Sequence, residues 1–179
     1  MNKKGISTLV IVAIIVVAVV VIGAIAAYVW YSGGTTEPTP TPTPTPDIEG
    51  ATSLQYAAEV TAQGVTISYE WAGKNIGTDN LMIRVDLLGG EAGNYSYILD
   101  AGDEKAWAAV EDEWTDISID FTAQWTAWGA VWTANLDGLK ADWSGTGDFT
   151  YTAENGDSVT IKNVSLNPEL ADSLFQPPS

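Results

Sequence analysis

Eight tryptophans stand out as the residues able to do chemistry, and in the second half of the chain they follow a regular spacing. Phe121, Trp125, Trp128, Trp132, Leu136 and Leu139 recur at steps of four, three, four, four and three, which is one stripe of an α-helix. Such rings either fill a core or, together with Trp71, Trp107, Trp114 and Trp143, line a cavity for an apolar or carbohydrate ligand. Both readings stay open from sequence; the cavity reading names Trp71, Trp107, Phe121, Trp125, Trp128 and Trp132 as its walls.

The remaining chemistry is sparse. Without a single Cys or His, the chain has no disulfide, thiolate or imidazole metal site, cysteine nucleophile or Ser-His dyad. Glu111, Asp112, Glu113, Asp116 and Asp120, or Asp100, Asp103 and Glu104, could offer oxygens to Ca²⁺, but neither group follows an EF-hand loop. The acidic residues show no pattern that defines a glycosidase pair. Neither an enzyme nor a cofactor or metal is expected. Asn94-Tyr95-Ser96 and Asn163-Val164-Ser165 are N-glycosylation acceptor patterns, making Asn94 and Asn163 candidates in an extracytoplasmic domain.

Charge narrows the partners. The formal net charge is −16, and of seven Lys and Arg, Lys3 and Lys4 precede the apolar segment, leaving five against nearly all 23 acids in the rest. Nucleic acid is excluded as a partner on electrostatic grounds, and an acidic shell suits an external or salty medium.

The elements that position these residues begin with an anchor. Lys3-Lys4-Gly5 precedes an apolar run, and Leu9 to Trp30 carries no charge. At about 1.5 Å per residue that segment spans a hydrocarbon core of ~30 Å. The lysines before it and Tyr28, Trp30 and Tyr31 at its far end put the amino terminus in the cytoplasm and the rest outside. Residues 1–31 are thus read as a basic head and single-pass membrane helix, the partner being the cell membrane itself. Residues 32–46 are a spacer: the alternating Thr-Pro cannot form helix or central strand, and polyproline II at about 3.1 Å per residue makes it a semi-rigid stalk.

Residues 47–179 are read as one extracytoplasmic domain, about 130 residues being enough for a single core. Its period is mostly two. Leu54, Tyr56, Ala58 and Val60, then Val65, Ile67, Tyr69 and Trp71, predict a hairpin turning at Gln63-Gly64. Leu81, Ile83, Val85 and Leu87 predict a strand with Arg84 and Asp86 on its other face. Tyr95 to Leu99 and Lys105 to Val110 flank a turn at Ala101-Gly102-Asp103. Phe149 to Ala153 and Ser158 to Val164 predict a last hairpin through Asn155-Gly156, suited to a type I′ turn. The helix is predicted over Asp120 to Gly138, capped by Ser118 or Asp120 and ended by Gly138 in the left-handed conformation. The fold class is mainly β with one amphipathic helix (α+β): an antiparallel curved sheet or half-open β-barrel after a transmembrane helix.

Two resemblances add to this reading. Lys3-Lys4-Gly5-Ile6-Ser7-Thr8 before an apolar helix resembles the class III (prepilin-type) signal of archaeal pilins and surface receptors, which implies processing beside Gly5; a plain signal anchor is the other reading. The bacterial version's glutamate is absent, Val10 standing there. In the head, Tyr97 to Gly102, Lys105-Ala106-Trp107, Glu113-Trp114-Thr115-Asp116 and the terminal Asn167 to Pro178 segment resemble lipoprotein carriers of the LolA/LppX type. That likeness implies a half-open β-barrel wrapped over helices, with a cavity for acyl chains walled by the Trp stripe. The function expected is a tethered, non-catalytic domain for a lipid or other apolar ligand. The alternatives are a pilin-like or surface structural subunit and a carbohydrate-binding surface domain. The spacer argues against a filament, because in pilins the long helix runs straight into the head.

Overall fold

The computed structural model describes residues 48–62, 65–90, 93–152 and 157–178. The anchor, Gly5, the spacer and the Asn155-Gly156 turn lie outside the described residues. Among the described residues no helix is long and apolar enough to cross a membrane.

Eight strands form one antiparallel sheet in the order β6-β5-β4-β3-β2-β1-β8-β7. Six run as a meander: β1 Ser53–Ala62, β2 Val65–Lys74, β3 Met82–Gly90, β4 Gly93–Asp100, β5 Lys105–Val110 and β6 Glu113–Asp116. The chain then crosses one face of the sheet as a helix and returns as β7 Phe149–Thr152 and β8 Ser158–Leu166, with β8 pairing on β1. This is an α+β domain in which period-two residues do what their alternation predicts. Leu54, Tyr56, Ala58 and Val60 are buried, and Tyr56 sits opposite Trp71 in the β1–β2 register.

β8 departs from simple alternation. Val159 and Ile161 point to the core at odd positions, yet Val164 and Leu166 pack there at even ones. An extra residue on β8 reconciles them: β1 advances from Gln55 to Ala57 while β8 runs from Ser165 to Lys162. Asn163 takes φ 54° within this bulge, a conformation asparagine tolerates better than most residues.

The helix differs from its prediction in three ways. It consists of α1 Phe121–Gln124, a π-helical turn Trp125–Gly129 and α2 Ala130–Asp142. The wider π turn breaks the expected stripe. Trp128, Trp132, Leu136 and Leu139 are buried, whereas Phe121 and Trp125 are half-buried and stack on each other at 5.7 Å. Neither Ser118 nor Asp120 caps the start. The Ser118 hydroxyl instead accepts from the Ala106 N–H at 3.1 Å, tying the helix approach to β5. Gly138 does not end the helix, which continues to Asp142. This glycine is buried, and a Cβ there would stand 3.3 Å from the Phe149 ring, so its role is close packing.

Two clusters hold the domain, one on each face of the sheet. The larger lies between sheet and helix and contains Tyr56, Trp71, Ile83, Val85, Tyr97, Trp128, Trp132 and Leu139. The smaller centres on Ala72, Ile98 and Phe175, with Met82, Trp107, Trp114, Leu170 and Leu174 packed around it.

Candidate binding surfaces

Strand alternation brings Tyr56, Trp71 and Tyr97 to the helix face, and the helix sets Trp128 and Trp132 against them. Tyr97 and Trp128 have ring centroids 4.9 Å apart, Trp71 meets Trp128 edge-on at 5.9 Å, and Tyr56 lies 5.8 Å from Trp132. These separations are those of rings in mutual contact. Gly73 completes the fit, since a Cβ at that position would overlap the Trp132 ring. Trp71 and Trp132 are 2% and 1% exposed, so neither presents a face to a sugar.

The space left in this cluster is a gap of about 10 Å³ lined by Tyr69, Trp71, Trp128, Val131, Asn135 and Val159 among others. That volume sits at the threshold for one water molecule. Polar groups at this site are few and specific. Asn135, 2% exposed, donates from Nδ2 to the Tyr56 hydroxyl at 3.1 Å and accepts at Oδ1 from the Tyr151 hydroxyl at 2.9 Å. The Nε1–H groups of Trp128 and Trp132 are buried and reach no acceptor among the described residues. Burial pushes the Tyr69 phenol up to about 12 and raises Tyr56 and Tyr97 as well, so these hydroxyls stay protonated and act as neutral hydrogen-bonding groups.

Not all six candidate wall residues belong to one site. Trp71, Trp128 and Trp132 come together in the core, while Phe121 and Trp125 form a half-buried pair at the helix start, beside Ile119, which is 96% exposed. Trp107 is on the opposite face and is corrected out of the cavity. Leu99 pairs with Ala106 and Tyr97 with Ala108, so Ala106 and Ala108 face the crowded helix side and Trp107, beside Ile98, faces away.

That opposite face holds a second arrangement the tryptophan spacing did not reveal. A 3₁₀ turn, Asp172–Phe175, lies over β3 and β4, and Phe175 is fully buried there. Lys74 pairs with Asp172, and its ammonium sits 5.0 Å from the Phe175 ring centroid. Arg84 donates to the Leu174 carbonyl at 3.2 Å, is held by the Asp86 carboxylate at 2.8 Å, and lies 5.7 Å from the Trp114 ring. The sequence signal was present in Arg84 and Asp86 on the face opposite Ile83 and Val85. What was missing was the tail that covers them.

Two of the acids able to offer oxygens to Ca²⁺, Asp100 and Asp116, accept backbone hydrogen bonds instead. Asp100 accepts from the backbone N–H groups of Gly102 and Asp103, shaping the β4–β5 turn, and Asp116 accepts from the Ser118 N–H at 2.9 Å; the Ser118 side chain first, and then this backbone bond, hold the Asp116 carboxyl below its usual range. Among the described residues no group of three or more acids is placed to hold a metal ion. Asn94 and Asn163 are both exposed, Asn163 on the β8 bulge.

No protein-family model matches the chain, and no curated protein or solved structure matches it either. The likeness to LolA/LppX carriers therefore rests on the sequence motifs alone.

Proposed function

We propose that the chain is a non-catalytic binding domain displayed outside a membrane, carried on a single-pass anchor and a Thr-Pro spacer, and that it takes a lipid or other apolar ligand between helix and sheet. The sheet acts as a half-open barrel and the helix as its cover. The observation that carries this reading is the pair of buried indole N–H groups, Trp128 and Trp132, without an acceptor. An unpaired buried donor costs about 1–3 kcal/mol, and an oxygen on an otherwise apolar ligand would relieve that cost. The gap of about 10 Å³ is far too small for an acyl chain, so uptake requires the first half of the helix to move. The π turn at Trp125–Gly129, the uncapped start and the half-buried Phe121–Trp125 pair favour parting at that point.

Native mass spectrometry of the full chain extracted from its own membranes tests the reading. A retained amphiphile is expected on the wild type and a several-fold weaker one on Trp128→Phe/Trp132→Phe, which keeps large rings and loses both donors. A wild-type chain that retains nothing sinks it.

A second reading is a surface structural subunit processed beside Gly5. The closed aromatic packing favours it, because the head completes its core with no ligand. An amino terminus beginning next to Gly5, with polymer in sheared surface fractions, supports this reading; an intact Met1 in the membrane fraction supports the plain anchor.

A further inference from the structure

The cleft that holds Phe175 is built like a recognition site for a short segment. Its floor is Ala72 and Ile98, fully apolar and buried, with Trp107 and Trp114 beside it. Two of the five cations that follow the apolar segment, Lys74 and Arg84, stand at this cleft. On a chain of net charge −16 this is a place where an acidic segment is attracted rather than repelled. The chemistry selects an acidic residue followed, three positions on, by an aromatic ring, with a free backbone carbonyl between them for the arginine.

Attachment of the occupying segment to its own domain is uneven. Asn167 and Pro168 are locked onto the chain at the start of β1: the Asn167 N–H donates to the Ser53 carbonyl at 2.9 Å, its Oδ1 accepts from the Thr52 N–H at 2.8 Å, and the Ser53 hydroxyl donates to the Pro168 carbonyl at 2.8 Å. Beyond them, Glu169 and Ala171 are exposed, and among the described residues 169–171 make no hydrogen bond to the sheet. Asp172–Phe175 then docks as a 3₁₀ turn without joining the sheet as a strand. A firm post, a link that only the Leu170 side chain holds to the cluster, and a compact plug are the parts an exchange between copies needs.

We propose that this cleft is a contact between copies of this chain, in which Asp172–Phe175 of a second copy replaces the chain's own segment. Every contact made within one chain is available unchanged between two, so exchange gains and loses the same ion pair, carbonyl bond and buried ring. The remaining cost is association entropy, which falls when copies are held close together. Two acidic heads otherwise repel, and the exchanged segment brings its carboxylate to the partner's lysine. The proposal is independent of the ligand reading, since it uses the opposite face of the sheet.

The chain has no cysteine, which makes the test direct. Met82→Cys on one tagged full-length chain and Leu174→Cys on a differently tagged one are co-expressed in membranes and treated with a flexible bismaleimide. A cross-linked species carrying both tags is expected. It should fall several-fold when the Leu174→Cys chain also carries Asp172→Lys, and recover when the Met82→Cys chain also carries Lys74→Asp. Such a rescue reads the segment of one chain in the cleft of the other, which a merely folded tail does not produce. Absence of the mixed species, or a mixed species indifferent to the Asp172→Lys change, overturns the proposal.

Discussion

The two faces of the sheet are held by different physics. On the helix side, Tyr56, Trp71, Tyr97, Trp128 and Trp132 interlock over a broad apolar area with no ionic group among them. On the other side, the Phe175 ring with Leu170 and Leu174 beside it, one ion pair and one arginine-to-carbonyl bond hold a four-residue turn. The first contact joins rings from elements far apart in the chain, so it loosens only where the helix parts from the sheet. The second is a short segment beyond the locked Asn167–Pro168 post, held by local contacts that include the Leu170 and Leu174 side chains. A single layer of backbone therefore separates a broad aromatic core from a small, local docking site.

The sharpest way to break this contrast is in the aromatic core. Trp132→Ala should lower unfolding free energy by about 3–5 kcal/mol, the range for removing a large buried aromatic. Gly73→Ala should cost about 1–3 kcal/mol by forcing the Trp132 ring aside, although it adds only a methyl group. Chemical denaturation of the full chain measures both, and a neutral Gly73→Ala would mean that the helix sits less tightly on β2 than described here.

Asn135→Ala comes next. It strips the buried partner from the Tyr56 and Tyr151 hydroxyls and should cost about 1–3 kcal/mol, with Asn135→Asp no better at neutral pH because it buries a charge. Phe175→Ala should have a smaller effect on global unfolding, about 1–2 kcal/mol, because the loss is capped by the docking free energy of the turn. Hydrogen exchange should show fast exchange confined to 170–176 with the helix face protected as before. Loss of protection across β2 and the helix would abolish the distinction between the faces.

The smallest expected effect is on pH. The hydrogen bond and charge of Lys74 hold the Asp172 carboxyl below its ordinary value of 3.8. A carboxyl with a lowered folded value contributes stability above the unfolded value and loses it as pH falls through the folded one. Acidification below pH 3.8 should therefore loosen the turn while the aromatic core, which holds no carboxylate, keeps its packing. The protection of 170–176, its exchange rate taken relative to the intrinsic rate at each pH, compared at pH 7 and pH 3 checks the direction; greater protection at pH 3 would reverse the assignment.

Much of the sheet could be read from the chain because alternation is local: a residue's face in β1 or β3 follows from its neighbours two positions away. The failures share one cause. Trp107 is the bulkiest apolar residue of β5 and was expected inside, but pairing with Leu99 and Tyr97 turns its alanine neighbours inward instead. The four-three spacing from Phe121 onward was a sound helix signal, yet nothing in it announces the π turn that detaches Phe121 and Trp125 from the buried rings. Gly138 looked like a helix stop, and only the approach of Phe149 explains why it is buried within one.

Sequence alone was enough for the class of the domain, for its strongly acidic charge and for its lack of cysteine and histidine, because composition and period are properties of the chain. Whether the tryptophans enclose a ligand or each other, and what lies across Arg84 and Lys74, depended on tertiary structure. Those outcomes turn on which rings meet across the sheet, and contacts between residues a hundred positions apart leave no periodic trace.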